Sequence, residues 1–124
     1  MNLQARISHF FTLGDSFLTP GNPPFEAVKN NAYQQNSWFL PHFIDHAVAQ
    51  INQQYLALDL LKSWTAAYPS IANTSTGKKV GIVMAGNIPL VGFHDLLSTL
   101  IAGHIAIVKL SSKDTVLMLS LIHI

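Results

Sequence analysis

The chain has 124 residues, no cysteine, a formal net charge of +1 and a composition that is 49% hydrophobic but only 10% charged. This length suits one modest domain burying roughly two thirds of its unfolded surface, and the shortage of charge fits either a membrane association or, the preferred reading, a piece of a larger protein that covers the remaining apolar surface. The missing cysteines exclude disulfides, thiolate metal sites and a cysteine nucleophile within this chain, while scattered Lys and Arg residues form no basic stripe for nucleic acid.

Near the N-terminus, Leu3, Ile7, Phe10, Phe11 and Phe17 recur at helical spacing and predict an amphipathic helix over 2–18, weakened late by Gly14. The turn cluster TPGNPP at 19–24 stops it, because proline lacks an amide donor and restricts its predecessor. A second short helix is expected over 25–34. Pro41 suits a first helical position, and Phe43, Ile44, Ala47, Val48 and Ile51 stripe a third helix. A fourth is predicted over 56–67, with Leu58, Leu60, Leu61 and Trp64 facing inward. Residues 70–77, SIANTSTG, are small and polar and read as a linker. The expected division is thus a helical region over 1–77, then a distinct unit over 78–118.

That unit is the most informative stretch. Residues 80–85 form a nearly continuous apolar run, the pattern of a strand buried on both faces of a parallel sheet. Pro89 suits a first helical turn, Leu90, Phe93, Leu96, Leu97, Leu100 and Ile101 define an apolar helix, and Gly103 is placed to stop it. A second strand follows over 105–110. The predicted fold class is α/β, with N-terminal helices followed by a partial Rossmann-like β-α-β unit. Ligands of such sheets bind beyond the carboxyl ends of strands, where Gly86-Asn87 and Lys109-Leu-Ser-Ser fall. A glycine admits a close ligand, Asn87 offers an amide donor near free helix-start amides, and Lys109 offers a cation to ribose or phosphate oxygens. The alternative is that Asn87 caps its helix and Lys109 marks a strand end. Spacing alone leaves both open, since neither GxGxxG nor GxxxxGK[ST] is present.

The stretch VGIVMAGNIPLVGFHDLLSTLIAGHIAIVKLSSKD resembles the corresponding segment of the LuxC-type acyl-CoA reductases of the aldehyde dehydrogenase superfamily. Asn87-Ile-Pro-Leu90, Ala102-Gly-His104 and Lys109-Leu-Ser-Ser112 stand at very nearly the superfamily spacing, and LGDSF, NSWF and SWTAAYP extend the similarity over about 1–118. The resemblance implies reduction of a long-chain fatty acyl-CoA to a fatty aldehyde by NADPH, through a cysteine thioester. It gives Asn87 the role of oxyanion donor to the thiohemiacetal oxygen, a contribution typically worth about 10²-fold or more in rate. Lys109 corresponds to the lysine at the adenosine ribose or its phosphate, Ser111 lies beside it, and Ala85 and Gly86 complete the cofactor-binding set. Leu110-Ser-Ser-Lys-Asp departs from the superfamily's Pro-Ser-Glu, which leaves the choice of NADPH over NADH unread. A homo-oligomer or an acyl-activating protein is the partner to expect. The nucleophile is expected in a downstream half, so this chain alone is expected to be silent. The alternative is a non-catalytic helical interaction module with a degenerate nucleotide-binding unit.

Residues 119–124, LSLIHI, match a reading frame of the transposon-end adaptor CTGTCTCTTATACACATC and are expected to be a non-native tail. Asn87, His94, Asp95, His104 and Lys109 hold the most apolar region short of the roughly 18 to 20 residues a membrane helix needs. The opening MNLQARISHFF lacks the pattern of a secretory signal, so the cytosol is the expected location. His42-Phe-Ile-Asp-His46 spaces two imidazoles by one helical turn, but no third ligand is evident and exposed histidines are expected, with no metal. His94 and Asp95 are adjacent on a helix and point about 100° apart, so surface or interface positions are expected for them. Trp38, Phe39 and Trp64 read as core or docking aromatics.

Overall fold

The computed structural model of the chain describes residues 1–73 and 76–122. Helix α1 spans Leu3–Thr12 and is capped by Asn2, whose side chain accepts the Ala5 amide at 2.8 Å. Where the sequence predicts a weakened end, the helix widens into a π turn over Leu13–Phe17, and Gly14 is buried there against Asn52 and Leu56. The prolines at 23 and 24 start α2, Pro23–Gln35, and Pro41 starts α3, Pro41–Ile51. A second π turn, Asn52–Leu56, leads into α4, Leu58–Ala66. Of the predicted linker, residues 74 and 75 lie outside the described residues, and its first part belongs to a 3-10 turn over Pro69–Asn73.

Strands β1, Lys79–Val83, and β2, Ile105–Lys109, pair in parallel, joined by α5, Phe93–Ile101. Gly103, with φ +87, ends the crossover as predicted, because the left-handed region is open to glycine without steric cost. A further helix that the sequence reading does not anticipate, α6, spans Thr115–Ile122 and buries Leu117, Met118 and Leu121. It packs on α2 and includes residues 119–122 of the expected tail; residues 123 and 124 lie outside the described residues. The fold is therefore mixed helix and strand, with a two-stranded parallel sheet.

One core runs through the helical region and the β-α-β unit. Phe10 of α1 meets Phe93 of α5 edge to face at 6.5 Å, and Ile7, Ile44, Leu61, Leu97 and Leu117 are almost wholly buried in the same cluster. Arg6 adds a polar link. Its Nε donates to the Ile101 carbonyl at 3.0 Å, at the negative end of α5, and its Nη2 donates to the Ile71 carbonyl at 3.2 Å. Lys29, buried between α2 and α3, pairs with Glu26 at 2.7 Å and Asp45 at 2.9 Å. Both carboxylates hold the Lys29 ammonium above its ordinary pKa, against the opposing effect of burial.

Several expected inward positions differ. Phe43 and Leu60 are exposed while Thr65 is buried, its hydroxyl donating to the Leu61 carbonyl at 2.8 Å. Trp38 is 80% exposed, whereas its neighbour Phe39 is core. The largest difference concerns the sheet. Only one face is covered: Ile82 is buried on it, with Val80, Ala106 and Val108 partly buried, while Val83, Ile105 and Ile107 on the other are exposed. The apolar run at 80–85 thus has a one-sided environment, because α5 packs on the inner face and no described residue covers the outer one.

Candidate functional site at the strand ends

Two loops leave the carboxyl ends of the parallel strands, and the ladder brings them side by side. Val83 pairs in register with Lys109, and the Met84 amide extends the ladder by donating to the Lys109 carbonyl at 3.0 Å. Strand alternation then sorts the side chains: Met84 turns into the core, while Val83, Ala85 and Lys109 are exposed. The Lys109 ammonium makes no hydrogen bond or ion pair with any described residue.

The loops then touch. Gly86 is buried, and a Cβ placed on it would meet the Ser111 side chain, with Ser111 Cβ at 2.6 Å. Only a hydrogen fits in that space, which is why this loop requires glycine. Ser111 also organises its own loop: its Oγ accepts from the Lys113 amide at 3.2 Å, and its carbonyl accepts from the Asp114 amide at 3.2 Å and the Thr115 hydroxyl at 3.1 Å. Gly86 and Ser111, both predicted from sequence, are brought together.

Asn87 stands next to this contact with its side chain exposed and unpartnered among the described residues. It does not cap α5. That helix begins at Phe93 with Gly92 at the cap position and no side-chain capping bond, so the predicted start at Pro89 is four residues too early. The cause is Leu90, the only described non-glycine residue with positive φ, at +59°. A left-handed residue cannot continue a right-handed helix, and it costs about 1–2 kcal/mol. The helix-start amides expected beside Asn87 therefore lie beyond this turn.

Leu90 is held by a residue that the sequence reading does not single out. Its amide donates to Asp114 Oδ2 at 2.7 Å, and both residues are buried. Asp114 Oδ1 is buried without a hydrogen-bond partner among the described residues. Burial pushes the Asp114 carboxyl up to about 6, with the Leu90 amide acting in the opposite direction. A carboxylate just before an apolar segment reads as an N-cap, and its reach across 24 positions has no local signature.

Two clefts open elsewhere. One, about 1130 Å³, lies between α1, α5 and β2 on the covered side of the sheet; the other, about 310 Å³, borders α2 and Asp114. Neither is lined by Ala85, Gly86, Asn87, Lys109 or Ser111. His42 and His46 are exposed on α3, and no group of three His, Cys, Asp or Glu suited to a metal occurs among the described residues. His94 stacks near Tyr55 at 5.0 Å and Trp64 at 6.2 Å, while Asp95 is exposed beside it. No described helix is long and apolar enough to cross a membrane. The chain matches no protein-family model, no curated protein and no solved structure.

Proposed function

We propose that this chain is the N-terminal and partial cofactor-binding portion of a LuxC-like acyl-CoA reductase that uses NADPH, with a Rossmann-like strand–helix–strand unit. The observation that carries this reading is the convergence of Gly86, Asn87, Lys109 and Ser111 at adjacent ends of two parallel strands, with the Asn87 amide and the Lys109 ammonium both exposed and unpartnered among the described residues.

These residues suit an anionic dinucleotide. Lys109 offers an exposed cation to ribose or phosphate oxygens, and Ala85 beside the buried Gly86 is exposed at the same strand end. When bound, NADPH supplies a hydride to the reacting acyl carbon. The chain's own contribution is to bind and orient: Lys109 fixes the cofactor's adenosine end, Ser111 stands beside it, and the Asn87 amide donates to the oxygen that becomes negative. The covalent step requires a thiol, and the sequence contains none; we assign it to a further part of the enzyme in the cytosol.

Titration of the chain with NADPH, followed by nicotinamide fluorescence, tests this reading. Saturable binding is expected, weakened roughly ten- to a hundred-fold by Lys109→Ala, the loss of one charge-assisted contact. Binding that is absent, or indifferent to Lys109, favours the helical interaction module instead.

A further inference from the structure

Asp114 occupies the position immediately before α6, where an aspartate ordinarily turns back to accept an amide of its own helix's first turn. It makes no such bond here. Its Oδ2 instead accepts the Leu90 amide at 2.7 Å, 24 positions away, and its Oδ1 is left buried without a partner among the described residues. A buried carboxylate oxygen without a hydrogen bond is unfavourable, so the orientation of this side chain is set by the Leu90 contact rather than by its own surroundings.

The segment so held is the one that carries Asn87. Gly86 is fixed by its contact with Ser111; Pro89 fixes its own φ and biases Ile88 toward extended backbone; Leu90 stands at φ +59. Asn87 is thus bracketed by two links to the same partner loop, Gly86 with Ser111 and Leu90 with Asp114. Both links end on the four-residue turn 111–114 that follows Lys109.

We infer that Asp114 is a positioning residue of the candidate site: its carboxylate clamps the loop of Asn87 onto the loop that follows Lys109, so that the oxyanion donor and the cofactor-binding cation are presented as one rigid unit. This inference rests on the cofactor reading above. Asp114 itself is buried and touches neither cofactor nor substrate in this assignment.

NMR on the whole chain, with an NADPH titration of each variant, tests the clamp. In Asp114→Ala the Leu90 amide is expected to exchange about ten-fold faster or more, with the Asn87 side-chain amide resonances shifted. NADPH affinity should fall roughly five- to ten-fold in that variant. Asp114→Asn keeps an acceptor oxygen at the same place and should stay within about two-fold of the parent in affinity, with Asn87 unshifted. Where Asp114→Ala does not fold, Asp114→Glu replaces it, since one added methylene displaces the carboxylate, and the same losses are expected. Unchanged Leu90 exchange and Asn87 resonances in the Ala or Glu variant overturn the inference, as does an Asn variant damaged as badly as either. If the resonances respond as expected but the parent chain binds no NADPH, the cofactor reading fails while the clamp stands.

Discussion

Gly86 and Ser111 meet so closely that a Cβ on the glycine would lie 2.6 Å from Ser111 Cβ. This close approach makes two loops, 25 positions apart, into one surface. It also dictates what substitution will do there. Gly86→Ala forces either loop to move, with an expected loss of about 1–3 kcal/mol from overpacking. Removing the obstructing side chain should recover part of it, so urea unfolding of Gly86→Ala, Ser111→Gly and the double variant should show coupling above about 0.5 kcal/mol. Strict additivity would mean that the two residues do not collide.

The buried Asp114 carboxyl makes stability depend on pH. An unfolded chain releases this proton near 3.8 and the folded chain only near 6, so between those values the folded state binds the extra proton. The contribution of Asp114 is therefore most favourable below about pH 4 and is lost as pH rises through 6. Relative to Asp114→Asn, which does not titrate, the parent should lose on the order of 3 kcal/mol between pH 4 and 7. Unfolding midpoints of the two chains across that range measure the difference, and a parent that gains on the variant with rising pH would contradict the burial effect.

The two faces of the β-α-β unit should respond oppositely to truncation. Leu97 on α5 is fully buried beneath the covered face, whereas Ile107 on β2 is 56% exposed on the open one. Leu97→Ala is expected to cost about 2–5 kcal/mol through lost burial and a residual cavity. Ile107→Thr should change stability by no more than about 0.5 kcal/mol, because water already reaches the side chain. Denaturant unfolding of both variants separates the cases, and a large loss at Ile107 would show that something covers the outer face in solution.

Acyl-CoA reduction tests the proposed assignment of the nucleophile to a further part of the enzyme. Without a cysteine, the purified chain has no thiol to accept the acyl group. Incubation with a long-chain acyl-CoA and NADPH should yield no aldehyde and no acyl-CoA-dependent oxidation of NADPH. Measurable turnover by the purified chain would overturn the assignment of the nucleophile to another part of the enzyme.

Much of the secondary structure was legible because its determinants are local. Pro41 starts a helix through its own φ, and Gly103 ends the crossover through its own tolerance of positive φ. Pro23 and Pro24, expected in a turn, instead begin α2, and Asn2, expected inside the first helix, caps it. The first strand was legible as apolar but not as one-sided, since composition does not reveal whether a covering layer is present. Helix α5 starts later than its sequence predicts because Leu90, a good helix former, is held in a left-handed conformation, its amide donating to an aspartate far along the chain. Asn87 and Lys109 could be singled out by residue type and by position at strand ends, but their freedom from local partners could not.

The sequence by itself determined a parallel strand–helix–strand unit behind a helical region, and the residue types at the strand ends. Periodicity, prolines and glycines act over a few residues, and their effects hold in many surroundings. Tertiary structure alone decided which sheet face is open, that Gly86 must pack on Ser111, and that Asp114 rather than Asn87 governs the turn before α5. Those outcomes depend on atoms from loops distant in the chain competing for the same space and the same hydrogen bond, and only the folded packing resolves that competition.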